Sequence, residues 1–164
     1  MGFATRADLL ARCNARRLAQ LAVPADREMP PDDALRVAVA GGDLGIYDPL
    51  HQQALAEALD AIDKALADAD AAMVSYGIPA EVQTTLLARL ASTIALYYLQ
   101  GAERMTKEVQ EAYAAAVAML KQHAAGQVNL VPAAPSDPAP PADLVSIESN
   151  PGRYGSRYVD EVGL

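Results

Sequence analysis

Between positions 49 and 76 an apolar series runs through Leu55, Leu59, Ile62, Leu66, Met73 and Tyr76, with Ala69 completing steps of four, three, four, three, four and three. That spacing is a heptad-like seam on one face of a helix. At 1.5 Å per residue the helix would be roughly 40 Å long. Glu57, Lys64 and Asp68 fall off the seam, so the helix has a dry face that needs partners and a wet one. Asp48 suits the N-cap, Pro49 the first turn and Gly77 the stop.

A second series, Val82, Leu86, Leu87, Leu90, Ile94, Tyr97 and Tyr98, predicts a helix from the first turn at Pro79 to Gln100, with Gly101 as its end. So short a turn between two helices predicts an antiparallel hairpin. Thr106 opens a further helix through Val109, Ala112, Tyr113, Ala116 and Leu120, stopped at Gly126. Val128 and Leu130 suit a short extended piece.

Upstream, Thr5 and Asp8 ahead of Leu9 and Leu10 form a capping-box pattern. Cys13 and Asn14 break it and positions 16–21 resume it, giving two short helices or one bent helix ending before Pro24. Positions 24–49 carry mixed signals. Pro30, Pro31, Asp32 and Asp33 could start a short helix through Ala40 with Gly41 as its stop, whereas Leu35, Val37 and Val39 alternate like a strand; the short helix is preferred.

Positions 132–142 are almost entirely Pro and Ala, a composition that favours extended, semi-rigid chain. Positions 143–164 hold too few apolar residues to fold alone, as in a tethered peptide that dangles or docks on another chain. The expected architecture is therefore all-α: a helical bundle with a long central hairpin (1–131), a linker (132–142) and an extended C-terminal arm (143–164).

Composition sharpens this picture. Of the 164 residues 35 are Ala, one is Phe and none is Trp, which suits close-packed helices rather than a bulky aromatic core. The net charge is −8, and neither side of Val131 is basic: eleven basic and sixteen acidic residues precede it, and two basic and five acidic residues follow it. That balance argues against wrapping nucleic acid. The single cysteine, Cys13, forbids an intramolecular disulfide. The first ten residues lack the pattern of a signal peptide, and no window is apolar for long enough to span a membrane, so the expected site of synthesis is the cytoplasm.

Catalytic chemistry finds little support. His51 and His123 lie near helix ends without metal-ligand spacing and read as solvated histidines. Cys13 reads as a small buried hydrophobe. Asp60, Asp63, Asp68 and Asp70 spread around the long helix, Asp60 forming an i,i+4 pair with Lys64, and read as a solvated face rather than a metal site. The run from Val37 to Gly45 looks like a strand entering a phosphate loop, but Tyr47 and Pro49 stand where the following helix should begin and no Lys-Ser/Thr follows. Tyr97 and Tyr98 could stack on bases, but without a basic surround they read as core and interface residues. Arg89 lies within an apolar series and is expected to reach an acid on the long helix or a neighbouring subunit. No cofactor and no metal are implied.

Phe3-Ala4-Thr5-Arg6-Ala7-Asp8-Leu9-Leu10-Ala11-Arg12, positions 54–63 leading into Ser75-Tyr76-Gly77-Ile78-Pro79, and Leu90-Ala91-Ser92-Thr93-Ile94-Ala95-Leu96-Tyr97-Tyr98-Leu99 resemble, in that order, a family of small proteins from Mu-like phages and prophages, formerly a domain of unknown function. The likeness continues through Val109-Gln110-Glu111-Ala112-Tyr113, Gly126-Gln127-Val128-Asn129-Leu130 and Pro151-Gly152-Arg153-Tyr154. The chain departs from the family pattern in its longer segment between Leu21 and Asp48 and in its Pro/Ala linker. The family is similar to head–tail connector (adaptor) proteins of tailed phages. The resemblance implies a non-enzymatic structural protein of the virion neck, forming a twelve-fold ring beneath the portal protein, with an arm that contacts neighbouring copies.

Other neck or tail-completion proteins are further expected partners, DNA is passing cargo, and the host cytoplasm holds the chain before assembly. Arg153, Tyr154, Arg157 and Tyr158 in the arm are the expected interface residues. Negative charge on each copy would let DNA pass a channel without sticking. A reading from another class, a small soluble helical module that binds one protein partner as a regulator or antitoxin would, also fits the residues.

Overall fold

The computed structural model describes residues 2–101 and 104–132. They form six helices: α1 (Arg6–Arg12), α2 (Ala15–Ala22), α3 (Ala34–Val39), α4 (Pro49–Ser75), α5 (Thr85–Gln100) and α6 (Lys107–Ala124). No strand occurs among the described residues.

The first two helices are separate because each has its own local start. At α1 the Thr5 hydroxyl accepts from the Asp8 amide (3.3 Å) while the Asp8 carboxylate accepts from the Thr5 amide (2.7 Å), a complete capping box. Cys13 is extended, and Asn14 Oδ1 then accepts from the Arg17 amide at 2.7 Å to start α2. In the mixed region the helix prevails: α3 buries Ala34, Leu35 and Ala38 and is followed by Gly41 with φ +71°.

Helix α4 is the central element. Asp48 Oδ1 accepts from the Leu50 amide at 2.8 Å, and Pro49 occupies the first turn. Leu55, Ile62, Leu66, Ala69 and Met73 of the seam are buried, while Leu59 and Tyr76 lie half-buried at its margin. Ala54, Ala58 and Ala65 are buried as well, because their small side chains let neighbouring helices approach closely. The helix ends in a Schellman motif: Gly77 takes φ +87°, its amide donates to Val74 (2.9 Å) and the Ile78 amide donates to Met73 (3.4 Å). Ile78 is itself buried, which adds the apolar contact typical of that motif.

The next helix begins at Thr85, six residues later than the position of Pro79 suggests. Pro79 instead opens a turn, its carbonyl accepting from the Val82 amide at 3.1 Å. The stronger start signal is Thr84, whose hydroxyl accepts from the Leu87 amide at 3.1 Å. Helices α4 and α5 then pack extensively as a hairpin, α1, α2 and α3 cover the hairpin, and α6 packs on α5.

The amino-terminal segment is clipped to α4. The Phe3 amide donates to Asp70 Oδ1 at 2.9 Å, and Phe3 is buried. Arg6 binds Asp63 through two nitrogens, the Nε contact being 2.7 Å. A Cβ at Gly2 would stand 2.2 Å from Asp70 Oδ2, so a larger residue there would require the Asp70 carboxylate to shift. Asp63 and Asp70, expected on a solvated face, are thus anchors, while Asp60 and Lys64 form the expected pair at 2.6 Å.

At the other end Gly126 (φ +71°) turns the chain after α6, and Leu130 is buried beside that helix end. His123 Nδ1 stands 3.4 Å from the Leu130 amide nitrogen and 3.2 Å from the Val128 carbonyl. The helices belong to one unit that ends at Pro132. The rest of the expected linker and the whole arm lie outside the described residues.

Candidate functional site

Among the described residues, helix α6 is covered on one side only. Of its 18 residues just Ala116 and Leu120 are buried, both against the α5 side of the bundle. Tyr113 stacks on Tyr97 of α5 with ring centroids 3.8 Å apart and planes 11° apart, and it meets Tyr98 edge-on at 6.2 Å. The three rings tie α6 to α5 at the surface: Tyr97 is half-buried and Tyr98 exposed, so neither belongs to the buried core. Burial of part of the Tyr98 ring raises its hydroxyl pKa.

Beside this contact α5 and α6 bound an open groove of about 360 Å³ whose floor is apolar, with Leu86, Leu90, Ala112 and Met119 among its walls. Arg12 of α1 and Arg89 of α5 line the same groove. Among the described residues no acid of the long helix pairs with Arg89. Arg89 is exposed, and its neighbour is another cation: Arg12 Nη1 donates to the Arg89 carbonyl at 3.4 Å. Partial burial, and then the nearby Arg89 charge, lower the pKa of Arg12. Periodicity placed Arg89 on the apolar side of its helix, but at the rim, where its head reaches water.

The remaining candidates separate. His51 is half-buried at the start of α4 with Glu28 at 3.7 Å, and His123 is half-buried at the end of α6, so both are less solvated than expected. Cys13 is half-buried at the end of α1, and burial raises its thiol pKa. The segment from Val37 to Gly45 forms part of α3 and a turn, not a strand and phosphate loop. Among the described residues no three His, Cys, Asp or Glu side chains gather in a way that could hold a metal ion. No helix among them is long and apolar enough to cross a membrane. Arg153, Tyr154, Arg157 and Tyr158 lie outside the described residues.

No curated protein matches the chain. The family model described as Bacteriophage Mu, Gp36 matches residues 3–149, and the chain belongs to that family.

Proposed function

We propose, from membership of a Mu phage protein family, that the chain is a structural subunit of the phage neck: a head–tail connector that assembles as a ring beneath the portal protein. The ring would be twelve-fold by the resemblance, with other neck or tail-completion proteins as further partners and DNA passing through it. The observation that carries this reading is the one-sided packing of α6. An amphipathic helix left with the groove on one flank, and with Leu86 and Tyr98 about 40% exposed beside it, offers surface that a neighbouring subunit can cover. A charge of −8 per copy suits a channel through which DNA slides without adhering. Lys and Arg clustered on the inner wall of the assembled ring would contradict that part of the reading.

Native mass spectrometry of the full chain, alone and mixed with the portal protein encoded in the same genome, tests the proposal. A portal-dependent shift to a high-copy complex is expected. A small species that ignores the portal would overturn it and favour a helical module for a different protein partner.

A further inference from the structure

We propose that the α5–α6 groove receives residues 143–148 of a neighbouring copy, with Leu144, Val145 and Ile147 on the apolar floor and Asp143 and Glu148 at the two arginines. The inference rests on the reading that copies of the chain meet one another.

Three observations lead to it. First, the groove is chemically lopsided: an apolar floor carries two guanidinium groups at its rim, and among the described residues no carboxylate forms an ion pair with either Arg12 or Arg89. Two neighbouring cations over apolar surface are complemented by an apolar peptide bearing acids. Second, residues 143–148, Asp-Leu-Val-Ser-Ile-Glu, have that composition and lie within the stretch matched by the family model, which runs to residue 149. The other acidic and apolar stretch, 159–164, falls beyond it.

Third, the chain is long enough to reach a neighbour. Leu130 is held beside His123, so the linker departs near the end of α6. Ala116, in the groove, precedes the end of α6 at Ala124 by eight residues, roughly 12 Å along the axis. Eleven Pro/Ala-rich linker residues span roughly 34 Å when extended. A linker of that composition and length is sufficient to carry the segment past its own α6 to a neighbouring subunit.

Disulfide trapping with full-length chains tests this. Two single-cysteine chains, both carrying Cys13→Ser, are mixed and oxidised, one with Ala115→Cys in the groove and the other with Val145→Cys. The expected product is the mixed dimer, in roughly tenfold excess over either homodimer. Arg89→Glu in the groove chain should lower that yield about tenfold, and Glu148→Arg in the other chain should restore it, which separates docking from damage to the fold.

A mixed dimer no more abundant than the homodimers, or one indifferent to Arg89→Glu, overturns the proposal. So does trapping that succeeds only when both cysteines share one chain, or one that prefers Val162→Cys to Val145→Cys. If the portal still drives a high-copy complex while this cross-link is absent, the groove assignment falls and the connector reading stands.

Discussion

Helices α4 and α6 are both rich in alanine and both repeat their apolar residues at threes and fours, yet α4 buries far more of its alanine than α6 does. In α4, Ala54, Ala58, Ala65 and Ala69 are buried, because α2, α3 and α5 all pack against it. In α6, Ala112, Ala114, Ala115 and Ala118 are exposed, because the helix leans mainly on α5. Helix propensity is the same in both places, so the difference is tertiary: one alanine series permits close approach inside the fold and the other leaves a smooth outer surface. A surface of that kind costs the isolated chain little.

The largest effect that tests this contrast is in the core. Ile62→Ala should destabilise the chain by about 3–4 kcal/mol in urea unfolding, because Ile62 is fully buried between α4 and its partners. A value below ~1 kcal/mol would mean that α4 is not the packing centre. Next come the alanines themselves. Ala58→Leu should cost about 2 kcal/mol by overpacking, whereas Ala118→Leu on α6 should stay within about 0.5 kcal/mol by the same measurement. Equal costs would erase the distinction between the two helices.

Smaller effects sharpen the edges of the hairpin. Thr84→Ala removes the cap of α5 and should cost about 1 kcal/mol, while Pro79→Ala, outside the helix, should cost clearly less; thermal unfolding of both variants decides where the helix starts. The smallest is the Arg6–Asp63 clip, at most about 1 kcal/mol because both groups are partly exposed. The Arg6 hydrogen bond, with its charge, holds the Asp63 carboxyl below the ordinary carboxylate range. Its contribution is therefore complete above the unfolded value of about 3.9 and is lost as pH falls through the lower folded value. Asp63→Asn should lower stability at neutral pH and converge with the parent chain once pH has fallen through that lower folded value. A constant gap across that range would exclude the ion pair as its cause.

Much of this fold can be read from neighbours in the chain. Asp48-Pro49, Gly77-Ile78 and the Thr5/Asp8 box each complete their hydrogen bonds within five residues, so local order suffices to place the ends of α4 and the start of α1. Pro79 misled because a proline suits a turn as well as a first helical position, and Thr84 makes the actual cap. The clips of Asp63 to Arg6 and Asp70 to Phe3, and the meeting of Arg12 with Arg89, join residues 57 or more positions apart, which no periodicity specifies. The groove was illegible for the same reason. The only hint of it was Arg89 on an apolar face, and the side chain that completes the rim comes from α1.

If copies assemble as proposed, other subunits cover α6 and the flank of α5 beside it, and not α4. Amide hydrogen exchange, measured on the chain alone and in complex with the portal protein of the same genome, addresses this directly. Slowed exchange in α6 on complex formation, with α4 unchanged because it is already enclosed, is the predicted result. New protection concentrated on α1 to α4, with α6 exchanging as it does in the free chain, would contradict it.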